Sequence, residues 1–557
     1  MSYQNYPVQE PKHLRDLVRT AAILYGDRVA IREKSGPENT VCSYSYSTLW
    51  KEIRSLTAAL TEKGLAGQKI VILGESSYAW VLAFFTVAGG LGTAVTVDPE
   101  VSAEQLSLIL AKSGATHILC SPDCKKVATA AAKKQPTPPT VTSFAQFRAL
   151  CAADAKLNRL RKITPTDPAA ILFFSDGNKG VVLSHRNLCF DIASVRRMIR
   201  INPEDVFLSI LPLYHAYELT CGLLCPLSAG ASVVFSQGLR SLSREMREFH
   251  PTVLNCIPFL AETMYQKIWE NIHRHGLDSN IKARIRMTNA IKPERAAILA
   301  KKSSFSSIHK SFGGKLRLIL TGGAPIAPHV LHGFRDFGIL AIQSYTLAEC
   351  APVAAINRDK CYRDDAAGMV MPDSVIDIYD MQDNGIGEIR YRGPNLMLGY
   401  CGDPELTDAV LRDGWFYTGD LGFLDNDGFL HVIGRKKNQI VTASGRCIFP
   451  EELEALLCSN KFIQEAVVCG RFDEKKQDVV LSAILCPNMP AIRALEDMNT
   501  RQRMQVEMRR AIAEINALLP AHQQIASFTV RSQPLPRNAI GQILRDTLSG
   551  GGQALSQ

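Results

Sequence analysis

Residues 69–120 read KIVILGESSYAWVLAFFTVAGGLGTAVTVDPEVSAEQLSLILAKSGATHILC and alternate between short apolar runs and helical patterns. The runs Lys69–Leu73, Thr93–Val97 and Thr116–Cys120 have the length and composition of buried strands. An apolar helix is predicted between the first two runs, and a second helix near Ser102–Ser113 precedes the third. Strands that alternate with helices in this way predict an α/β fold with a mostly parallel sheet covered by helices.

The flanking segments extend this pattern. Upstream, apolar residues at helical spacing predict a helix that begins at a Ser47 cap and ends near Gly64. The apolar stretch 80–97 approaches the length of a membrane span, but a pair of glycines interrupts it and basic flanks are missing. We therefore interpret it as a buried helix followed by a buried strand. Downstream, Lys125–Asp167 is rich in proline and is predicted to connect two subdomains.

The pattern changes after about residue 436, where a short helix, three strands and a long helix predict a small α+β domain. We expect a large N-terminal domain over 1–435, made of mostly parallel sheets flanked by helices plus a β subdomain. A small, mobile α+β C-terminal domain is expected over 436–548. The last residues, 549–557, are rich in Gly, Ser and Gln and are predicted to be disordered.

Composition argues against several classes of protein. The chain has 557 residues with 63 Lys plus Arg against 54 Asp plus Glu, and a net charge of +9 is too small to indicate nucleic-acid binding. Fifteen cysteines, scattered and odd in number, argue against a disulfide framework and are predicted to be buried thiols in a reducing cytoplasm. The polar N-terminus shows no signal peptide, so a cytoplasmic protein is expected.

One segment carries most of the net charge. Residues 281–310 contain eight lysines and arginines against a single acid, Glu294, which gives +7 of the total of +9. Apolar residues alternate with these charges. A solvated helical face is the simpler interpretation, and a docking surface for anionic lipid, with peripheral membrane contact, is the alternative. The sequence does not specify the oligomeric state.

Several short segments lie at wide spacing along the chain, and together they are more specific than any one of them. In order they are FSDGNKGV (174–181), LPLYH (211–215), TGGAP (321–325), YTLAE (345–349), GEI (387–389) with RGP (392–394), GWFYTGDLG (414–422), GRKK (434–437), Gly445 with PEE (450–452), and GQILR (541–545).

In this order and spacing the chain resembles the adenylate-forming (AMP-binding) superfamily over about residues 14–545, and most of all its long-chain fatty acyl-CoA synthetase branch. The resemblance implies a ligase that converts a carboxylic acid, here a medium- or long-chain fatty acid, into an acyl-adenylate with ATP. The acyl group then passes to a thiol, that of coenzyme A or of a carrier protein. The implied cofactors are ATP, Mg²⁺ and coenzyme A. Reaction between two anions needs cations and N–H donors around the phosphates, which suits these residue types.

Carried over position by position, the resemblance assigns a role to each candidate site residue. The implied roles are phosphate binding for Ser175, Gly177 and Lys179, adenine contact for Gly323, Ala324 and Tyr345, ribose binding for Asp420 and Arg435, magnesium and phosphate binding for Glu349, a place between the acyl pocket and the thiol channel for His215, the domain hinge for Lys437, the thiol-channel loop for Gly445, and the position of the family's C-terminal catalytic lysine for Gln542.

Each assignment has a simpler structural alternative. Asp420 could only make a turn, Glu349 could only form a salt bridge, and His215 could be a half-buried histidine satisfied by its neighbours. Lys436 and Lys437 could be an exposed basic pair. These alternatives differ in geometry, so the contacts of each side chain separate them.

Three departures from the family pattern fall on the ATP-dependent half-reaction. The phosphate loop is short, covering only 175–180, and Asp176 brings a negative charge where the triphosphate would lie. The family's threonine before the glutamate is Ala348, and its C-terminal lysine is Gln542. Loss of one preorganised donor of this kind commonly costs a factor on the order of 10²–10³ in rate.

Several functions therefore stay open. The leading hypothesis is an active ligase whose adenylation is slow or uses substitute cations, for which Lys179, Lys436 and Lys437 are candidates. The alternative is a catalytically impaired family member, a possible pseudoenzyme, that binds nucleotide or acyl ligand for regulation or assembly. A third hypothesis retains only acyl transfer from a preformed acyl-adenylate. The sequence specifies neither the acyl chain length nor whether the acceptor is coenzyme A, a carrier protein or an amine.

Overall fold

The computed structural model of the chain describes residues 5–36, 38–151, 161–174, 179–442, 447–473, 478–493, 495, 500–537 and 543–548. Four candidate site residues, Ser175, Gly177, Gly445 and Gln542, lie outside the described residues, as does the tail 549–557. Where the chain is described, no helix is both long enough and apolar enough to cross a membrane.

Strands occur along the whole chain. In order they are β1 (Val29–Ser35), β2 (Thr40–Ser45), β3 (Lys69–Leu73), β4 (Thr93–Val97), β5 (His117–Cys120), β6 (Thr140–Ser143), β7 (Pro168–Phe173), β8 (Gly180–Ser184), β9 (Val206–Ser209), β10 (Ser232–Phe235), β11 (Val253–Cys256), β12 (Leu318–Thr321), β13 (Leu340–Thr346), β14 (Val353–Ile356), β15 (Gly368–Val370), β16 (Val375–Tyr379), β17 (Gly387–Arg392), β18 (Gly399–Tyr400), β19 (Leu411–Arg412), β20 (Trp415–Leu424), β21 (Phe429–Arg435), β22 (Ile440–Val441), β23 (Cys447–Ile448), β24 (Ile463–Asp473), β25 (Asp478–Pro487) and β26 (Ile525–Val530).

Helices lie between most of these strands. The α-helices are α1 (Leu14–Tyr25), α2 (Tyr46–Glu62), α3 (Tyr78–Thr86), α4 (Ala103–Ser113), α5 (Lys125–Ala132), α6 (Phe144–Arg148), α7 (His185–Met198), α8 (Cys225–Ala229), α9 (Leu242–Phe249), α10 (Pro258–Arg274), α11 (Asp278–Asn289), α12 (Glu294–Ser304), α13 (Ser306–Ser311), α14 (Pro328–Asp336), α15 (Pro404–Val410), α16 (Pro450–Cys458), α17 (Met489–Arg493) and α18 (Thr500–Asn516). Short π turns cover Val87–Leu91 and Glu218–Leu224, and 3₁₀ turns cover Ala348–Cys350, Lys436–Asn438, Ala521–Gln523 and Arg545–Thr547.

The chain divides into two compact units. The first comprises Met1–Ile376, Tyr391–Phe416 and Asp427–Phe429, and the second comprises Asp377–Arg390, Tyr417–Asn426 and Leu430–Gln557. The predicted boundary between residues 435 and 436 stays a prediction, because domain limits and compact packing units are different quantities.

The first unit contains two sheets. One has the order β18-β8-β7-β4-β3-β5-β6, in which the pairs from β7 to β6 are parallel and β8 is antiparallel to both of its neighbours. The other runs β15-β14-β13-β12-β11-β9-β10-β1-β2 and is parallel from β13 to β1. The fold class predicted from the alternating pattern, α/β with mostly parallel sheets, is therefore confirmed.

Residues 69–120, from which this fold was predicted, form the expected strands and helices. Strands β3, β4 and β5 pair in parallel, and α3 between the first two is buried from Trp80 to Thr86. Trp80 and Phe84 stack within it at 5.5 Å between ring centroids. Because every face of α3 is apolar, this helix lies inside the protein and the stretch 80–97 is a buried helix and strand.

Two local predictions were wrong. Helix α2 is capped by Ser45, whose hydroxyl accepts a hydrogen bond from the Thr48 backbone N–H, whereas Ser47 lies within the helix. The helix begins earlier because Tyr46 is buried and packs with the core. The segment Lys125–Asp167 is also more regular than predicted, since it contains α5, β6 and α6, and β6 extends the first sheet.

The second unit contains an α+β layer. Strands β24 and β25 pair antiparallel, β25 and β26 pair in parallel, and helices α16 and α18 cover this sheet. Met508, Ile512 and Ile515 of α18 are buried in this core. The same unit holds the antiparallel pairing of Asp420 with Arg435 across β20 and β21.

Candidate active site

The predicted phosphate loop separates, in sequence, the antiparallel strands β7 and β8 of the first unit, here called the phosphate-loop hairpin. The Phe174 backbone N–H donates to the Lys179 carbonyl at 3.0 Å, so the strand pairing extends to these two residues; residues 175–178 lie outside the described part of the chain. A Cβ on Gly180 would lie 2.7 Å from the Phe173 ring, which explains the glycine at this position. Lys179 Nζ lies 5.6 Å from the centroid of the Tyr400 ring.

Glu349 lies on the 3₁₀ turn Ala348–Cys350 and is only 9% exposed. Its Oε1 accepts a hydrogen bond of 2.7 Å from the Tyr400 hydroxyl. Burial is the main cause that raises the pKa of Tyr400, and the negative charge of Glu349 raises it further. The hydroxyl therefore stays protonated and acts as the donor. No lysine or arginine of the described residues forms a salt bridge with Glu349. The salt-bridge alternative for this carboxylate is therefore not supported.

His215 is a buried, neutral histidine. Burial lowers its pKa to about 4, so the ring is uncharged at neutral pH. Its ring lies 4.7 Å from that of Tyr214, whose hydroxyl donates to Asp98 at 2.8 Å. The Nε2 atom is buried and has no hydrogen-bond partner among the described residues. The structure thus does not support the view of His215 as a histidine satisfied by its neighbours.

The predicted adenine segments lie at the carboxyl ends of two adjacent parallel strands. Strands β12 and β13 pair in register with Thr321 opposite Gln343, so the segments that follow these two residues lie at the same sheet edge. Gly323 has φ +89°, a left-handed conformation that favours glycine. Tyr345 is buried and Ala324 is half-buried. The structure therefore brings these three candidates to one edge of the sheet.

The two predicted ribose-binding residues face each other in the second unit. Asp420 on β20 is directly opposite Arg435 on β21, and Arg435 Nε lies 3.5 Å from Asp420 Oδ1. The aspartate side chain is 9% exposed and the arginine side chain 47% exposed. The Asp420 backbone N–H also donates to the Thr418 hydroxyl at 3.1 Å, which is a turn contact. A turn and a paired carboxylate therefore coexist at Asp420.

The two lysines after Arg435, Lys436 and Lys437, lie in different environments. Lys436 Nζ forms an ion pair of 2.8 Å with Glu388 Oε2, while Glu388 Oε1 accepts from the Gly419 backbone N–H at 3.2 Å. Lys437 is exposed on the 3₁₀ turn Lys436–Asn438. The Lys436 ammonium is thus neutralised by Glu388, which argues against its use as a substitute cation. The hinge role of Lys437 stays a prediction.

Comparison with protein families agrees with this geometry. The sequence profile of the family described as AMP-binding enzyme matches residues 18–401, well over half of the chain. The chain belongs to the AMP-binding enzyme family. A second profile, that of the AMP-binding enzyme C-terminal domain, matches residues 437–549.

Curated relatives of this AMP-binding enzyme are fatty acid ligases. Long-chain-fatty-acid–CoA ligase FadD15 of Mycobacterium bovis is 27% identical over 450 residues, covering 75% of this chain and 74% of the relative. Long-chain-fatty-acid–CoA ligase 5 of Rattus norvegicus is 32% identical over 335 residues, covering 56% of this chain and 48% of the relative. The match thus spans about half the length of the rat protein.

Solved structures share the fold of this AMP-binding enzyme. O-succinylbenzoate coenzyme A synthetase of Bacillus subtilis, in complex with ATP and a magnesium ion, superimposes with a TM-score of 0.71 at 21% identity. The similarity covers 97% of this chain and 99% of the synthetase. The predicted family, AMP-binding enzymes, and the predicted fold are therefore confirmed.

Sequence reasoning missed three polar residues of this AMP-binding enzyme. Tyr400 and Glu388 contact predicted site residues, as described above, and Glu218 is a buried carboxylate one helical turn after His215. Burial raises the pKa of Glu218 to about 7, although Ser209 and Asn255 both donate to it. A glutamate within an otherwise apolar run was the available signal for Glu218, and Glu388 lies inside a segment already singled out. Tyr400 carried no local signal.

Proposed function

We propose that this AMP-binding enzyme activates a medium- or long-chain fatty acid with ATP as an acyl-adenylate and transfers the acyl group to coenzyme A. The observation that carries the proposal is that Glu349 is buried without a basic partner among the described residues. A buried carboxylate that no basic residue of the described ranges neutralises is costly unless a cation or a hydrogen-bond donor compensates it. The Tyr400 hydroxyl supplies one donor, and a ligand cation would supply the charge.

The donor set at Glu349 fits magnesium. Mg²⁺ prefers hard oxygen ligands and usually binds one or two carboxylates together with substrate phosphates and water. When bound, the ion would neutralise negative charge on the phosphates. Glu349 would hold it, and Lys179, on the neighbouring hairpin, would place its positive charge towards the same anion. A carboxylate and an ammonium are complementary to a metal–phosphate pair.

Nucleoside binding is proposed for two further groups of residues. The Asp420 carboxylate would accept hydrogen bonds from ribose hydroxyls, and Arg435 would hold that carboxylate in place, as their 3.5 Å separation supports. Gly323 and Tyr345 would contact the adenine ring. The neutral His215, with its unpartnered Nε2, is suited to orient the acyl group or the thiol without adding charge.

Isotope exchange tests the proposed adenylation. Purified protein with ATP, Mg²⁺ and fatty acids of several chain lengths should catalyse pyrophosphate exchange and form acyl-CoA when coenzyme A is added. Glu349→Gln preserves the shape of the side chain and removes the charge, so exchange should fall at least about 100-fold. Exchange by the wild type no higher than that of Glu349→Gln would refute the proposal. Comparison of coenzyme A with a carrier protein identifies the acceptor thiol.

A non-catalytic binding protein is the second candidate. The observations that favour it are the short phosphate-loop sequence between β7 and β8, the alanine beside Glu349, and the ion pair that neutralises Lys436. Calorimetry separates the two functions. Tight AMP binding, together with weak ATP binding that does not depend on Mg²⁺, supports the binding protein. Strong ATP binding that depends on Mg²⁺ supports the ligase. Formation of acyl-CoA and AMP from synthetic acyl-adenylate and coenzyme A, with none from fatty acid, ATP and coenzyme A, would support the third function, acyl transfer without adenylation.

Gln542 gives the sharpest test of impaired catalysis. Substitution of Gln542 by lysine introduces the charge that the family resemblance implies at this position. If adenylation is limited by that charge, pyrophosphate exchange should rise by on the order of 10²-fold, the usual effect of one preorganised charged donor. The variant should also be combined with a lengthened phosphate loop, because residues that act as a unit are non-additive. No increase in either background would place the limitation elsewhere.

We also propose that residues 281–310 contact an anionic membrane surface. Ile281 and Ile285 of α11 pack against the core, while Met287 is 72% exposed and Leu299 of α12 is 69% exposed. Exposed apolar side chains among basic ones suit a lipid surface better than a purely solvated face. Binding to phosphatidylserine vesicles but not to phosphatidylcholine vesicles, weakened in a Met287→Ser/Leu299→Ser variant, is expected. Equal binding to both vesicles would refute the proposal.

A further inference from the structure

We propose that Tyr400 is a positioning residue that holds the Glu349 carboxylate for its metal ion and ties it to the phosphate-loop hairpin. The inference rests on the proposed function, because it assigns Tyr400 to the same magnesium and phosphate site. Tyr400 does not touch substrate in this proposal. It acts through Glu349 and through the orientation of the segment that carries Lys179.

The backbone on either side of Tyr400 joins the two parts of the site. The Met397 N–H donates to the Glu349 carbonyl at 2.8 Å, and the Cys401 N–H donates to the Gly180 carbonyl at 2.7 Å. Between them, β18 pairs antiparallel with β8, with Tyr400 opposite Val181. A segment of five residues therefore bonds to the Glu349 turn at one end and to the phosphate-loop hairpin at the other.

The side chain of Tyr400 repeats this link. Its hydroxyl donates to Glu349 Oε1 at 2.7 Å, and its ring faces Lys179 Nζ at 5.6 Å from the centroid. A cation near an aromatic ring is attracted to it, by about 0.5–1 kcal/mol at exposed sites. One side chain thus contacts both the predicted metal carboxylate and the predicted phosphate lysine, on segments far apart in sequence.

A neutral donor suits a metal carboxylate better than a basic residue would. An arginine at this position would fix Glu349 equally well, but its charge would compete with Mg²⁺ for the carboxylate. The Tyr400 hydroxyl holds one oxygen and leaves the negative charge of the group undiminished. Hydrogen bonds to metal-ligating side chains typically contribute 10–100-fold to metal affinity or activity.

The position of Tyr400 is itself well defined. Its backbone N–H donates to the Thr407 hydroxyl at 2.9 Å. Gly399 before it has φ +142°, and a Cβ there would lie 2.8 Å from Thr407 Cγ2, so glycine is required for the close approach of α15. The side chain is buried. These contacts orient the hydroxyl before any ligand binds.

The test compares Tyr400→Phe with Tyr46→Phe. Tyr46 is another buried tyrosine of the first unit, and its hydroxyl donates to the Ala231 carbonyl at 2.6 Å. Both variants lose one buried hydrogen bond, so both thermal midpoints should fall, more in Tyr400→Phe because its bond is to a charged group. Calorimetric titration with ATP, at increasing Mg²⁺ concentration, should show about 10-fold weaker Mg²⁺-dependent binding for Tyr400→Phe only. Binding of AMP without Mg²⁺ should be unchanged in both.

Glu349→Gln makes the two proposals separable. Loss of Mg²⁺ dependence in Glu349→Gln, with Tyr400→Phe identical to the wild type, would overturn the role of Tyr400 and leave the proposed function intact. Mg²⁺ dependence that persists in Glu349→Gln, or that the wild type lacks, would overturn both. Should Tyr400→Phe fail to fold, Thr407→Val removes the acceptor of the Tyr400 N–H without touching Glu349. The inference requires the same selective loss of Mg²⁺ dependence in that variant.

Discussion

Substitution of Asp420 by asparagine should weaken nucleotide binding and leave the fold almost unchanged. The change keeps the shape of the side chain and removes its charge. In the proposed role the carboxylate accepts hydrogen bonds from ribose hydroxyls, and Arg435 at 3.5 Å supports it. The amide offers one oxygen acceptor and no charge, so the bonds to ribose become weaker.

The structure sets the size of both effects. Asp420 is 9% exposed, so solvent screens its hydrogen bonds little, and bonds to a charged group contribute about 1.5–3 kcal/mol. The dissociation constant for AMP should therefore rise about 10- to 100-fold. Arg435 is 47% exposed and remains hydrated when its partner loses its charge, so the free energy of unfolding should change by less than about 1 kcal/mol.

Calorimetric titration with AMP measures the first effect, and thermal unfolding measures the second. Asp425→Asn is the matched control, because Asp425 belongs to the same unit and its Oδ2 lies 3.2 Å from Nε2 of His431 on β21. That variant should bind AMP as the wild type does. Unchanged AMP affinity in Asp420→Asn, or equal losses in both variants, would refute the ribose assignment.

Two further predictions concern stability. Gly323→Ala should destabilise the protein by about 1–2 kcal/mol from backbone strain, since φ is +89° and no atom of the described residues lies within 4 Å of the added Cβ; a larger drop in urea denaturation would contradict this. Burial lowers the pKa of His185 to about 4, and its Nδ1 accepts a hydrogen bond from the Leu14 N–H. As the pH falls below 6.5, this histidine therefore binds a proton in the unfolded chain but not yet in the folded protein. Stability should thus decrease by about 3 kcal/mol from pH 7 to pH 4 through His185, and His185→Gln should remove this part of the pH dependence; an unchanged pH profile of unfolding in that variant would contradict it.

Much of the fold could be predicted because strand and helix patterns are local. The runs that became β3, β4 and β5 were recognisable from length and apolar composition, and α3 from its apolar residues on all sides. Local signals failed where two possible N-cap residues lie two positions apart, as Ser45 and Ser47 do at the start of α2. There the burial of Tyr46, a tertiary effect, selected the cap.

The site was predicted as a set of residues rather than as a set of contacts. The motif order identified Glu349, Asp420 and Arg435, but not which groups hold them. Tyr400 lies 51 residues from Glu349 in sequence, and Glu388 lies 48 residues from Lys436. Neither pairing leaves a periodic or compositional trace, because each depends on how distant strands are brought together.

By itself, the amino-acid sequence determined the alternation of elements, the family, and the residue types available for nucleotide chemistry. Tertiary structure alone decided that the Glu349 carboxylate meets a neutral tyrosine instead of a cation, and that Lys436 is neutralised by Glu388. The physical reason is range. Helical and strand propensities act over a few neighbouring residues, whereas the charge and hydrogen bonding of a buried side chain depend on groups that only the folded chain brings within about 3 Å.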